Sequence, residues 1–170
     1  FNRAPDAIGL NFWGSRFADG RTLAQIAEQF ALSAETQATY PPGTSNETFA
    51  ETVYDNVLGR PSDPLGLAFW VNRLDTGRIS RDQFILKVLE GAKAALKPEL
   101  GEDFVNQQLA DRKYLEDKTD IGAYFAVIRG MSDVDDAITA MNLFDGTEDS
   151  ITDAVAVIDG FYADALNPDT

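Results

Sequence analysis

A segment at the start of the chain recurs 57 residues further on. Arg3-Ala-Pro-Asp6-Ala-Ile-Gly9-Leu10-Asn-Phe12-Trp13 aligns with Arg60-Pro-Ser-Asp63-Pro-Leu-Gly66-Leu67-Ala-Phe69-Trp70, and six of the eleven positions are identical. The likeness continues downstream, where Thr22-Leu-Ala-Gln25 and Ser80-Arg-Asp-Gln83 are both capping boxes of the S/T-x-x-Q kind. A duplicated unit of this length is a supersecondary module that buries its apolar face against neighbouring elements.

The chemistry of each copy specifies a helix. Asp63 is placed to cap it, with Pro64 at the first helical position, where no donor is lost. Asp6 takes the same role in the first copy. Leu67, Trp70, Val71 and Leu74 fall at i, i+3, i+4 and i+7, and Leu10, Trp13 and Phe17 follow the same spacing, so both helices are expected to bury a stripe that contains their tryptophan. Gly9 and Gly66 sit one turn in, where glycine costs about 1 kcal/mol of helix propensity. Their recurrence predicts a backbone or an aromatic ring packed closely against them. Arg60 and Asp63 are expected to pair across the loop, as are Arg3 and Asp6. A second helix then starts at each capping box, carrying Leu23, Ile26, Ala27 and Phe30 in one copy and Phe84, Ile85, Val88 and Leu89 in the other.

An amphipathic helix with Phe49, Val53 and Val57 on one face precedes the second motif, and Gly59 is its stop signal. Its counterpart in the first repeat is missing: Phe1 stands where Leu58 would be matched. The expectation is a piece of a longer protein, for which a missing leader peptide carries no weight. The organisation read from the sequence is a first repeat over 1–40, a linker over 41–46, a second repeat over 47–97 and an acidic helical segment over 98–170, all packed into one domain.

In that last segment a helix opens at Pro98, with Glu99, Glu102 and Asp103 near its start and Arg112 and Lys113 near its end, as the helix dipole favours. Three more helices have the stripes Ile121/Tyr124/Phe125/Ile128, Val134/Ala137/Ile138/Met141 and Ile151/Ala154/Val155/Ile158/Tyr162, the last two opening at Ser132 and Ser150. No sustained period-2 pattern appears. The fold class is therefore all-α, a compact array of about eight or nine short helices.

Composition narrows the function. The chain has neither Cys nor His, which removes thiol and imidazole catalysis, disulfides and zinc sites built on those ligands. No serine is followed by Lys three residues on, and no glycine-rich phosphate loop occurs. The expectation is that the chain is not an enzyme. The net charge of −14 comes with ten acids and no Lys or Arg over 131–170, a field that repels nucleic acid and anionic lipid. No apolar run reaches the ~18 residues that would cross a bilayer.

Calcium is the cofactor such acidity brings into question. Asp145, Glu148, Asp149 and Asp153 are the candidate metal ligands, although their segment lacks the spacing of the twelve-residue EF-hand loop. Asn72–Gln83 fails the same template through Leu74 and Gln83. A solvated acidic turn at a helix start accounts for the four acids more simply. Trp13, Trp70, Phe12 and Phe69 could stack on sugar rings, but their helical spacing favours core packing.

The string from Leu58 to Trp70, L-G-R-P-S-D-P-x-G-L-x-F-W, followed by Gly77-x-Ile79-Ser80-x-x-Gln83-Phe84, resembles the bacterial helical repeat family called domain of unknown function 4214. The resemblance spans 46–96 and 1–40, with a more distant likeness to phycobilisome linker domains and, in general organisation, to the helical anchoring domain of S-layer proteins. It implies a non-catalytic module of a secreted or cell-surface protein of a Gram-negative bacterium, of the S-layer, adhesin or RTX type. The implied partners are cell-surface polysaccharide, lipopolysaccharide or other domains of the parent protein. Arg3, Asp6, Gly9, Trp13, Arg60, Asp63, Gly66 and Trp70 are the repeat signature. The alternatives are a protein–protein scaffold, which predicts a large exposed apolar patch, and a glycan-active enzyme built on two carboxylates.

Overall fold

The structure, a computed structural model, describes residues 2–167. Among them are nine α-helices, a 3-10 turn and a π-helical segment, with no strand, so the all-α reading holds. Phe1, matched to Leu58 above, lies outside the described residues. Helices α1 to α9 span Ala7–Ala18, Leu23–Ala31, Ala34–Thr39, Asn46–Leu58, Pro64–Asp75, Arg81–Lys93, Glu102–Ala123, Val134–Asn142 and Glu148–Leu166. Two compact units are formed, Asp19–Lys113 and Asn2–Ala18 with the chain from Tyr114 onward. The repeat expected over 1–40 is thus divided, α1 falling in the second unit and α2 and α3 in the first.

The first unit is built on aromatic packing. Phe49 and Phe84 are fully buried, 5.7 Å apart between ring centroids, and Tyr40, Tyr54 and Trp70 close around them. Val53, Leu58, Leu74 and Val88 complete the core. The stripe of α4 is broader than Phe49/Val53/Val57: Ala50, Tyr54 and Leu58 are buried with the first two, and Val57 is only partly so. Local chemistry sets the element ends. Thr22 and Gln25 form the expected reciprocal box, Gln83 accepts the Ser80 N–H at 3.1 Å, and Gly59 closes α4 in the left-handed region at φ 65°. The linker is held by Arg81, whose guanidinium donates to the Thr44 carbonyl and to Asn46 Oδ1 and lies over Phe49.

Three sequence expectations change here. A short helix, α3, stands between α2 and the linker; Ser33 caps it through Thr36 N–H, and the S-x-x-T spacing was the available signal. The helix expected to end near Arg112 and Lys113 runs on to Ala123 and into the π segment Tyr124–Ile128, because no Gly or Pro intervenes before Gly122. Arg112 instead donates to the carbonyls of Ala92 and Ala94 at the end of α6. Helix α9 starts at Glu148 under a Thr147 cap, leaving Ser150 in its first turn, where it is buried and donates to the Thr147 carbonyl at 2.7 Å.

The second unit buries Ile121, Phe125, Met131, Ala137, Met141, Phe144, Ala154 and Ile158 as one core, with Ala4 inserted from the first motif. Backbone bonds fix that insertion: Ala4 N–H to Ala137 O at 3.1 Å and Ala7 N–H to Met131 O at 2.8 Å. Pro5 lies against Gly122, where an added Cβ would stand 2.8 Å from Pro5 Cδ. Gly122→Ala is therefore expected to destabilise the unit by about 1 kcal/mol, the overpacking outweighing the gain in helix propensity. Gly160→Ala, where a Cβ meets nothing within 4 Å, is expected to stabilise it. Urea unfolding of the two variants checks the pair, and the same sign for both would refute the Pro5 contact.

Candidate functional site

The caps of the two motif helices form as expected. Asp6 Oδ1 accepts the Gly9 N–H at 2.6 Å and Asp63 Oδ1 accepts that of Gly66 at 2.7 Å. The atoms nearest each glycine are those of this carboxylate, and neither a second backbone nor a ring. A Cβ at Gly9 would stand 2.7 Å from Asp6 Oδ2, and one at Gly66 2.6 Å from Asp63 Oδ2. A Cβ at either glycine would require the carboxylate to shift from this position.

Arg3 pairs with Asp6 at 3.4 Å, as expected. Arg60 does not pair with Asp63. It makes a two-pronged ion pair with Asp111 of α7, Nε to Oδ1 at 2.6 Å and Nη2 to Oδ2 at 2.7 Å. Asp63 is turned into its helix, whereas Asp111 is buried and offers both oxygens to the planar guanidinium, the stronger arrangement. Gln107 Nε2 donates to Asp111 at 2.8 Å, and Arg60 also donates to Pro61 O and lies 5.4 Å from the Tyr54 ring. The hydrogen bonds that Arg60 donates to Asp111 raise its pKa above the ordinary value. Asp111 had no motif to mark it, since its partner is 51 residues away.

The aromatic pair of each motif is divided between inside and outside. Trp70 is half-buried and meets Phe84 edge-on at 5.4 Å, so it joins the core as expected. Phe69 does not: it is 50% exposed, and its counterpart Phe12 is 45% exposed. Each is set edge-on to its tryptophan at 5.1 Å, and each has an arginine one turn on over its ring: Arg16 at 3.3 Å from the Phe12 centroid and Arg73 at 4.5 Å from that of Phe69. The two copies thus present the same solvent-facing Phe–Arg stack, from identical residues at identical positions.

The rest of the first copy departs from expectation. Neither α1 nor α2 has a buried residue; Leu10, Phe17 and Leu23 are exposed, and Trp13, Ile26 and Phe30 are partly so.

The acidic segment is occupied with its own backbone. Asp145 accepts from the N–H and hydroxyl of Thr147 at 3.0 and 2.7 Å, and those bonds hold its carboxyl below the usual range. Glu148, Asp149 and Asp153 are exposed on the first turns of α9. Among the described residues no group of three or more acidic side chains converges as a metal site would require. A second polar cluster links Arg129, Tyr124 and Asp159: Arg129 Nε and the Tyr124 hydroxyl both donate to Asp159 Oδ1, at 2.9 and 2.6 Å. The Tyr124 bond, then the arginine, holds the Asp159 carboxyl below its usual value. Burial, then the nearby carboxylates of Asp133, Asp135 and Asp164, pushes Asp136 the other way.

The described residues form an all-α chain that carries a duplicated helical motif and one repeated surface stack. Residues 27–95, from within α2 to just past α6, match the family described as Domain of unknown function (DUF4214), the family named by the resemblance of the second motif. No curated protein and no solved structure gives a significant match. Among the described residues no helix is long and apolar enough to cross a membrane.

Proposed function

We propose that this chain is a non-catalytic module of a secreted or cell-surface bacterial protein that attaches it to cell-surface glycan. The observation that supports the reading is the duplicated, solvent-facing Phe–Arg stack of Phe12 with Arg16 and Phe69 with Arg73. Aromatic side chains offer sugar rings an apolar contact, and a guanidinium beside them supplies donors for hydroxyl, carboxylate or phosphate oxygens.

The test is isothermal titration of the chain with purified lipopolysaccharide and with neutral and acidic outer-membrane polysaccharides, run without divalent ions, with calcium and with magnesium. Saturable binding that weakens at least tenfold in Phe12→Ala/Phe69→Ala is the expected result. Equal binding by that variant, or none by the parent chain across the panel, rejects the reading. That the Asp145–Asp153 segment takes a calcium ion is a proposal carried by charge alone; a saturable calcium heat without glycan that Asp145→Asn/Asp149→Asn abolishes would support it, and no heat would reject it.

A further inference from the structure

The two copies of the motif act as controls for each other. Some side chains are exposed in both: Ile8 and Leu65, Phe12 and Phe69. Those faces are open by design of the motif, and the second is the stack discussed above. Others differ. Leu74 is buried and Leu67 and Val71 are partly so, while their counterparts Phe17, Gly14 and Leu10 are all exposed, Phe17 by 55% and Leu10 by 40%. The differing positions lie at i, i+4 and i+7, one continuous face of the helix.

In the second copy α5 packs against α4. The side of α4 that is buried bears Phe49, Ala50, Val53, Tyr54 and Leu58, and Tyr54 sits beside Trp70. Phe17 is larger than the Leu74 it replaces, and Gly14 smaller than Val71, so the face on α1 keeps its apolar character with a different relief. Surface leucine or phenylalanine taken singly needs no explanation, but a face whose twin is buried does.

We infer that the Leu10–Phe17 face of α1 is a docking surface for an amphipathic α-helix of the α4 type, with aromatic and aliphatic residues at i, i+4, i+5 and i+9. The pattern is that of the buried side of α4, the helix packed against α5 in the second copy. The interaction is apolar and geometric, and lies on a different side of α1 from Phe12, so its failure and that of the glycan reading are separable.

The experiment supplies the helix. Residues 45–59 are duplicated ahead of Arg3 in place of Phe1 and Asn2, which reproduces the junction between Gly59 and Arg60. The extended chain is expected to unfold several degrees higher than the parent. Leu10→Ala and Phe17→Ala should each lower its midpoint by more than they lower that of the parent, and amide exchange in the added helix should be slowed. A control in which the added copies of Phe49 and Val53 are replaced by Asp should lose the gain. An unchanged midpoint, an added helix exchanging like an unfolded peptide, or equal effects of Leu10→Ala and Phe17→Ala in both chains would overturn the inference. So would sedimentation showing that the parent chain covers this face by self-association that Phe17→Ala abolishes.

Discussion

Asp111→Ala is expected to destabilise the Asp19–Lys113 unit by about 3–5 kcal/mol, the loss typical of breaking a buried ion pair from one side. The deletion strands Arg60, whose side chain is only 24% exposed, and removes the acceptor of Gln107. Replacing both partners with leucine should cost much less, because no charge is then left without its counterpart. The comparison separates the pair's net contribution from the penalty of stranding one member. Chemical denaturation followed by Trp70 fluorescence, in a Trp13→Phe background, measures it. A loss below 1 kcal/mol for the single variant would mean that water reaches Arg60 and that the pair behaves as a surface contact.

The second large effect is expected at Phe84. Its side chain has no exposed area and meets Phe49, Tyr54 and Trp70, so Phe84→Ala should destabilise the same unit by about 3–5 kcal/mol. Phe69→Ala, on α5 and half exposed, should change stability by no more than about 0.5–1 kcal/mol. Trp70 emission should shift to longer wavelength in the first variant as water enters the cavity beside it. Similar losses for the two would show that the Phe69 stack, too, is part of the core.

These two sites mark the boundary of what the sequence revealed. Phe84 was legible, because helical spacing after a capping box puts it on an inward stripe whichever neighbour it meets. Asp111 was not, because nothing local distinguishes a buried carboxylate from the other acids of α7; burial comes from a guanidinium delivered by a loop far away in sequence. The same contrast separates Gly66 from its reason. Recurrence marked the glycine, but only the position of the Asp63 oxygens shows what lies against it. Phe12 and Phe69 sit next to tryptophans on a strongly patterned helix, and periodicity alone could not say on which side of the boundary each ring would fall. The exposure of the first copy was hardest to read, since Leu10 and Phe17 are patterned for burial and the face that would cover them is not set by their own residues.

The fit between cap and glycine also bears on how this motif can vary. Because the carboxylate of Asp6 or Asp63 occupies the space of the missing Cβ, the aspartate and the glycine three places later are sterically coupled. A side chain at the glycine position would make the carboxylate shift, and the Asp133 cap, which accepts from Asp136, shows that a carboxylate can cap beside a side chain. Where the cap keeps the geometry of Asp6 and Asp63, substitutions at the two positions should travel together across related repeats, with serine or threonine caps the natural companions of alanine. A search that weighs the two positions jointly would find diverged copies that one scoring each residue alone would miss.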